Sequence, residues 1–477
     1  MPFMPPTDSM FLLAETREHP MHVGGLQLFR PPDGAGPEFV RDLIEGFRRD
    51  DYVSPAFRRR PAEPVGLIGQ TWWASDATID MDYHVRHSAV PPPGRIRELL
   101  HLTSQWHGSL LDRHRPLWEC HVVEGLGDGR FAVYNKVHHS MVDGVSALRL
   151  MQRSLSPDPD HRGAVPPWAL RPRERPDPLS AATSPTEADP ADALPARLSA
   201  PLRRLSALVG GGLSVAEDVA GLLPASARVV NQIVREGDVT LPRAPRTILN
   251  GPVGGARRFA AQSWEIERIR RVAKSSATTL NDVVLAMVSG VLRSYLLEQH
   301  ALPDEPMTAM VPVSLALRAG ADAEAAGNSV GVIVVNLATD IDNGPTRLEE
   351  IAYSSRRAKR VLSGLTPTQV LALSALQMAP LALSPVPGFV RATHPPFNVV
   401  VSNVPGPDGP MYFDGAQLDG LYPASIVLDG QAVNVTLCSR DRYLDFGVIG
   451  CRRSVPHLQR LLKHLETALA ELETAWG

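Results

Sequence analysis

Residues 131–144 have the sequence FAVYNKVHHSMVDG. The first seven residues are mostly apolar or β-branched, which predicts a strand over residues 131–137. The strand runs directly into His138 and His139, and a helix is predicted over residues 144–155. Because side chains alternate along a strand, we expect the two histidines to point to opposite sides. One of them can then face a pocket while the other packs or forms hydrogen bonds.

The residue types of this segment suit proton transfer. A histidine titrates near neutral pH and can take the proton of an alcohol. Asp143 lies four residues after His139, with a turn between them, and is expected to fix the loop by pairing with an arginine or with backbone amides. Gly144 is expected to permit a tight turn at the helix entrance. Taken alone, these residues fit a structural histidine pair as well as a catalytic base. Adjacent histidines lack the spacing of a helical metal pair, so no metal is expected.

The rest of the chain is divided by a change of composition. Residues 1–155 are predicted to form one α/β unit, and residues 258–477 are predicted to form a second one. Between them, residues 156–257 are rich in Pro, Ala, Asp, Arg and Ser and are interpreted as a linker or crossover. Within this linker, residues 205–234 are apolar again and predict amphipathic helices.

Further elements follow from hydrophobic periodicity. In the first unit, strands are predicted at 21–29 and 118–124 and helices at 37–48 and 95–111, with a turn at 125–129. In the second unit, helices are predicted at 281–298, 348–362 and 455–476, and strands at 307–313, 330–337, 398–402, 433–438 and 443–449.

Bulk composition excludes several classes. The 477 residues are 44% hydrophobic, which is ample for a sizeable core, and the formal net charge of −3 does not suggest a nucleic-acid binder. The three cysteines predict neither a disulfide framework nor a zinc site and fit a reducing cytoplasm. Early charges, such as Asp8 and Glu15, interrupt any signal-peptide core. No charge lies between Arg360 and Arg391, but prolines there predict two buried or half-buried helices; the alternative is a surface that touches lipid.

Motifs outside the histidine segment resemble one family. His-His-x-x-x-Asp-Gly after a strand is the signature of the CoA-dependent acyltransferase superfamily, to which chloramphenicol acetyltransferase and peptide-synthetase condensation domains belong. Residues 112–119 (DRHRPLWE) and 279–284 (TLNDVV) resemble the Pro-Leu-Trp and Asn-Asp motifs of the bacterial bifunctional wax ester synthase/diacylglycerol acyltransferase family. Further segments similar to that family lie at residues 20–24, 327–328 and 401–407.

The resemblance implies an α/β fold of two chloramphenicol-acetyltransferase-like domains, with the active site in a channel between them. It implies acyl-CoA as co-substrate, no bound cofactor, and a lipid alcohol, either diacylglycerol or a long-chain alcohol, as acceptor. The acceptor hydroxyl attacks the thioester directly while His139 takes its proton, without an acyl-enzyme. Asn281 is the candidate donor to the oxyanion, and the alternative is that it caps a helix starting at Asp282. His138 and Trp118 are expected to be structural.

Such lipids are nearly insoluble, so the resemblance implies a cytoplasmic enzyme that is peripheral on the inner membrane or on lipid droplets. Residues 205–234 and 361–390 are the apolar stretches that could lie in an interface, and they are equally compatible with the core or the linker.

Rival functions are disfavoured on the same residues. Residues 327–331 match Gly-x-Ser-x-Gly, but a nucleophile elbow follows a buried strand and opens a helix, and here the predicted order is inverted. A non-catalytic lipid-surface protein of the same fold would not need His139. A condensation-type enzyme with another acceptor is disfavoured by the Pro-Leu-Trp and Asn-Asp motifs.

Overall fold

The computed structural model describes residues 3–48, 52–62, 72–171, 243–314, 330–382 and 388–477. In these ranges the chain forms two six-stranded sheets with helices packed on them, and one two-stranded sheet. The predicted α/β class is therefore confirmed. The predicted helices at 205–234 and most of the Gly-x-Ser-x-Gly match lie outside the described residues.

Before residue 172 the six elements predicted from periodicity are present within a few residues. The helices are α1 (Pro6–Ala14), α2 (Phe39–Arg48), α3 (Met81–His84), α4 (Ile96–Gly108) and α5 (Gly144–Arg153). The strands are β1 (His22–Arg30), β2 (Arg59–Pro61), β3 (Trp73–Ser75), β4 (Val85–Ala89), β5 (Trp118–Glu124) and β6 (Phe131–His138). Of these, α1, β2, β3, α3 and β4 are additional elements that were not predicted.

The elements after residue 242 form the second half of the chain. Its helices are α6 (Ile266–Ser275), α7 (Leu280–Glu298), α8 (Gly344–Ser363), α9 (Pro367–Ala382), α10 (Phe389–Ala392) and α11 (Arg460–Trp476). Its strands are β7 (Arg257–Glu265), β8 (Thr308–Ser314), β9 (Val330–Asn336), β10 (Val399–Val404), β11 (Tyr412–Phe413), β12 (Ala416–Ala424), β13 (Val433–Arg440) and β14 (Tyr443–Cys451).

The first sheet draws strands from both halves of the chain. Its order is β11-β12-β1-β6-β5-β4, and β12 pairs antiparallel with β1 from Gly24 opposite Ala424 to Arg30 opposite Gln417. The second sheet has the order β7-β14-β13-β10-β8-β9. The boundary expected at residue 258 thus describes the order along the chain, whereas the first sheet is completed by a segment of the second half.

The turn between β5 and β6 holds the two strands in register. Gly125 and Gly129 adopt φ values of 84° and 80°, which favour glycine because it has no Cβ. The tight connection predicted at residues 125–129 is confirmed, and it aligns Trp118 with Val137 at the far end of the pair. The first residue of β5 therefore lies beside the end of β6, where the two histidines follow.

Helix α7 is the centre of the second core. Residues from Val283 to Leu292 are buried almost without interruption. Among the described residues it is the one helix long and apolar enough to cross a membrane, with a mean hydropathy of 1.4, but 72% of that window is buried inside the protein. This is the pattern of a core helix that is covered on all sides.

One predicted element differs from the structure. The last helix begins at Arg460 instead of residue 455, because Pro456 and the left-handed backbone of His457 (φ 57°) do not continue a helix. The uncharged stretch at 361–390 contains the long helix α9 and the start of the single turn α10, which agrees with the two helices predicted there. Within α9, Leu373 is buried in the second core, whereas Leu376 and Met378 are half-buried.

Candidate active site around His138 and His139

The end of β6 is held by hydrogen bonds to both neighbouring strands. The His138 backbone N–H donates to the Leu117 carbonyl at 2.9 Å, and the His139 N–H donates to the Met21 carbonyl at 2.9 Å. Consecutive residues of a central strand alternate between its two neighbours in this way. The Pro-Leu-Trp segment is therefore the partner that fixes His138, and the segment before β1 fixes His139.

The His138 side chain is fully buried and has a structural set of partners. Its Nδ1 accepts the Ser140 backbone N–H at 3.1 Å and lies 2.7 Å from the Ser140 Oγ. We therefore assign a proton to Nε2, which lies 3.4 Å from the Glu15 Oε1. Both ring nitrogens thus face protein groups, which agrees with the structural role expected for His138.

Glu15 joins three parts of the site. Its Oε1 accepts the Met21 N–H at 3.1 Å, and its Oε2 pairs with the Arg113 Nη2 at 3.1 Å. Burial alone would raise the pKa of this carboxyl, but hydrogen bonds and charge from His138, Met21 and Arg113 lower it overall. Glu15 thus supports His138 directly and His139 through Met21. Sequence reasoning missed this role, because nothing local links Glu15 to a motif more than 120 residues away.

The His139 ring is half-buried and stacks on Phe11, with ring centroids 4.0 Å apart. Its Nδ1 is buried and has no hydrogen-bond partner among the described residues. In the neutral ring one nitrogen carries a proton and the other keeps a lone pair, so the ring can accept one further proton.

Electrostatics keep the His139 ring neutral. Burial lowers its pKa, the charge of Asp143 and the residue's own backbone raise it, and His138 lowers it further, with a net value of about 4. A neutral imidazole at pH 7 can accept a proton without first losing one. His139 therefore has the protonation state that a general base requires.

Asp143 caps helix α5. Its Oδ1 accepts the Ser146 N–H at 2.9 Å and its Oδ2 accepts the Ser146 hydroxyl at 2.8 Å. The expectation that it fixes the loop through a backbone amide agrees with this geometry. The reason expected for Gly144 is wrong, because Gly144 does not have a positive φ and an added Cβ would meet only Val23 Cγ1 at 3.8 Å. The extended backbone of Asp143 makes the turn instead.

Asn281 lies in the first turn of α7, on the other half of the chain from the histidines. The alternative in which it caps a helix beginning at Asp282 is wrong, because α7 begins at Leu280 and Thr279 is its cap. Thr279 and Asp282 satisfy each other in a capping box. The half-buried Asn281 amide makes no hydrogen bond with the described residues and is free to donate, though no such bond joins it to the histidine segment either.

Trp118 is a core aromatic, as expected. Its side chain is 2% exposed, its Nε1 donates to the Phe57 carbonyl at 2.9 Å, and its ring stacks on His84 and Trp168. The tryptophan therefore anchors the start of β5, and through Leu117 it positions the end of β6.

Two networks of buried polar side chains support the histidine segment. Lys136 and Glu119 form an ion pair at 3.1 Å, and His121, Lys136 and Arg86 together lower the pKa of Glu119 to about 2 against the effect of burial. Lys136 also donates to the Trp106 and Ser109 carbonyls. These bonds hold α4 against β6.

The second network links β1 to α4. His22, which lies opposite His138 in the sheet, donates from Nε2 to the His107 carbonyl at 2.6 Å. His107 in turn donates from Nε2 to the Ser425 carbonyl at 2.9 Å and accepts the Tyr134 hydroxyl at 2.7 Å. Burial lowers the pKa of His107 to about 3 and that of His22 well below its usual value, so both rings are neutral.

Comparison with known families covers nearly the whole chain. Residues 4–284 match the wax ester synthase/diacylglycerol acyltransferase catalytic domain, and residues 326–473 match the C-terminal domain of the same family. A probable diacylglycerol O-acyltransferase of Mycobacterium tuberculosis is 53% identical over 463 residues, which cover 97% of this chain and 96% of that protein. The O-acyltransferase WSD of Acinetobacter baylyi is 41% identical over 459 residues, which cover 96% of this chain and 94% of that protein.

Solved structures agree with these sequence relationships. The wax ester synthase/diacylglycerol acyltransferase from Marinobacter aquaeolei VT8 is similar with a TM-score of 0.78 at 39% identity, covering 100% of both chains. The starter condensation domain of rhizomide synthetase is 12% identical, with a TM-score of 0.53 over 99% of this chain and 94% of that one, and shares the fold alone. The chain therefore belongs to the wax ester synthase/diacylglycerol acyltransferase family.

Proposed function

We propose that this chain is an acyl-CoA-dependent O-acyltransferase that esterifies diacylglycerol and also accepts long-chain alcohols. The names of its relatives support the substrate classes, and the state of His139 supports the chemistry. The observation that carries the proposal is the His139 ring, which is neutral, stacks on the Phe11 ring and makes no side-chain hydrogen bond with the described residues that would occupy its lone pair.

In this mechanism the acceptor hydroxyl attacks the thioester carbonyl and passes its proton to the His139 ring. The resulting oxyanion accepts a hydrogen bond from the Asn281 amide, which has no other described partner. Collapse of the tetrahedral intermediate breaks the carbon–sulfur bond, and the CoA thiolate takes the proton back from His139. A positioned base contributes roughly 10²–10⁴-fold and an oxyanion donor about 10²–10³-fold.

The direct test is thiol release from palmitoyl-CoA with each acceptor in turn. We expect CoA release that depends on dioleoylglycerol or hexadecanol, with triacylglycerol or wax ester as the matching product. The ratio of kcat/KM for the two acceptors ranks them. Lipid binding without acceptor-dependent thiol release would instead favour a non-catalytic lipid-surface protein of this fold.

The pH dependence provides an independent check on the base. Since the pKa of His139 is lowered from 6.5 to about 4, the ring stays neutral as the pH falls through 6. We expect kcat/KM to remain level from pH 8 to about pH 5 and to fall only near pH 4. Loss of activity with an apparent pKa close to 6.5 would contradict this environment for the base.

The enzyme also has to reach its insoluble acceptor. We propose peripheral association with a membrane or a lipid droplet in the cytoplasm, supported by the half-buried apolar side chains of α9, Leu376 and Met378. Fractionation followed by a carbonate wash tests this, and release by the wash is the expected result. Recovery entirely in the supernatant, with full activity on dispersed lipid, would contradict the association.

A further inference from the structure

A polar cleft of about 480 Å³ lies where the two halves of the chain meet. One wall is the last part of α4, and the other is the segment that leads into β7. Arg17 and Glu18, which precede β1, and Arg452, which follows β14, complete the rim. Neither the proposed mechanism nor the family motifs use this cleft.

The charge in the cleft is strongly positive. Four arginines line it, Arg17, Arg257, Arg258 and Arg452, against the single carboxylate of Glu18. Arg257 is buried and donates to the carbonyls of residues 18, 254 and 427, so it binds the two halves together. Burial lowers its pKa to about 10, which still leaves it charged at neutral pH.

The other three guanidinium groups do not hold the two halves together in this way. Arg17, Arg258 and Arg452 form no side-chain hydrogen bond or ion pair within the described part of the chain. Arginines elsewhere are often paired; for example, Arg86 binds Glu119 and Arg268 binds two glutamates. Three unpaired guanidinium groups around one cleft make a site for an anion with several oxygens, because a guanidinium binds phosphate in a bidentate manner.

The cleft lies close to the catalytic histidine. Arg17 is four residues before Met21, whose carbonyl binds the His139 N–H, so extended chain geometry limits their separation to about 14 Å. On the opposite wall, Ser109 is two residues after His107, which binds His22 beside His138. A long ligand can therefore hold its charged end in the cleft while its other end reaches His139.

We propose that Arg17, Arg258 and Arg452 bind the phosphate groups of the acyl-CoA donor. This inference rests on the proposed function, which makes acyl-CoA the substrate. Acyl-CoA carries its phosphates at one end and its thioester at the end of a flexible arm, which matches a basic cleft set apart from a half-buried imidazole. The lipid acceptor then has to approach His139 from another side.

The test compares palmitoyl-CoA with a donor that keeps the thioester and the pantetheine arm but lacks the phosphates and the adenosine. The variant Arg258→Gln/Arg452→Gln and the unmodified enzyme are assayed for thiol release from palmitoyl-CoA and from S-palmitoyl pantetheine, which has no phosphate. We expect KM for palmitoyl-CoA to rise about 10-fold or more in the variant, with kcat within twofold and KM for the phosphate-free donor unchanged. The difference in KM for palmitoyl-CoA between the variant and the unmodified enzyme should shrink as salt is added, because salt screens exposed charges.

Arg271→Gln is the matched control. Arg271 is exposed on α6 and does not line the cleft, so its variant should keep the KM for palmitoyl-CoA. Calorimetric titration with free CoA measures the same site without turnover, and we expect weaker binding in the double variant only.

Several outcomes would overturn the assignment. Unchanged KM and CoA binding in the double variant would show that the cleft does not hold the donor. An equal rise of KM for both donors would indicate a structural defect instead of lost phosphate contacts. Unchanged CoA binding with weaker binding to vesicles of anionic phospholipid would assign the arginines to a lipid headgroup.

If CoA binds in the cleft but no acyl transfer occurs, the proposed function fails while the binding site stands.

Discussion

The sheet that carries the histidine segment has charged and polar side chains buried on its strands. The second half of the chain instead buries a continuous apolar cluster around α7 and α11. The central strands β5 and β6 bury Glu119, His121, Lys136 and His138. Within the described ranges, every fully buried histidine lies between residues 19 and 138. The second half also buries polar groups, such as the Arg440–Asp445 pair, but no histidine at that depth.

This difference indicates that the buried side chains of the two regions have different roles. Burial lowers the pKa of His22, His84, His107 and His121, so the first half of the chain buries imidazoles that stay neutral. Hydrogen-bonded neutral rings fix positions without adding a charge next to the base. The apolar second core supplies burial of hydrophobic surface instead. Substitution of the proposed base in the first region should therefore change turnover, and truncation of side chains inside the apolar cluster should change stability.

The largest effect is expected at the base. His139→Ala should lower kcat by roughly 10²–10⁴ because the proton acceptor is lost, while the melting temperature stays the same. The ring forms no hydrogen bond with another described residue, so its removal leaves no buried partner. Steady-state thiol release and calorimetry measure the two properties.

The exposed His161 provides a matched control for this substitution. His161→Ala should leave both turnover and melting unchanged. If His139→Ala kept more than half of the activity, the assignment of the base would be wrong.

Asn281→Ala tests whether the second half contributes to the chemistry. We expect kcat to fall by about 10²–10³, with little change in KM for acyl-CoA, as for a donor used only in the transition state. Thr279→Ala is the contrasting variant, because it removes the actual cap of α7 and should cost about 1 kcal/mol of stability. A change in melting alone for Asn281→Ala would contradict the role in catalysis.

Leu469→Ala addresses the apolar region. Leu469 is fully buried on α11 within the second core, so truncation should lower the free energy of unfolding by about 2–5 kcal/mol. Urea denaturation measures the loss. Because the residue is remote from the proton transfer, kcat per folded molecule should not change, and a fall of tenfold or more would break the comparison drawn above.

The smallest effect is expected at Asp143. Asp143→Ala should cost roughly 0.5–2 kcal/mol, because the Ser146 N–H at the start of α5 loses its cap, whereas Asp143→Asn should restore most of the stability. Either variant removes a charge that raises the pKa of His139, so the acid limb of kcat/KM should move to lower pH. Unchanged melting without activity in Asp143→Ala would place Asp143 in the chemistry.

Local patterns predicted most elements and the centre of the site. The bounds of β5 were predicted to the residue, and α4, α5 and α7 within a few residues, because their periodicity is strong and their ends are marked by turns or caps. The alternation of His138 and His139 also followed from strand geometry alone. The Thr279 cap was missed because Asn281 has an equally favourable residue type for that position.

Contacts between distant residues could not be predicted in this way. The roles of Phe11 and Glu15 depend on α1 lying against the end of β6, which no spacing in the sequence reveals. The strand β12 was also missed. Its sequence AQLDGLYPA contains Gly420 and Pro423 and lacks regular alternation, and it becomes a strand because β1 offers a free edge.

The pairing of β12 with β1 has a consequence for how the chain is made. Nearly 400 residues separate the two partners, so β1 leaves the ribosome long before its neighbour exists. Until synthesis reaches residue 424, the first sheet has an open edge that is a template for pairing with other chains. His139, the proposed base, is synthesised early, yet the sheet that carries it gains β12 only near the end of translation. Truncation before β12 therefore removes a strand of the first sheet and leaves the edge of β1 unpaired.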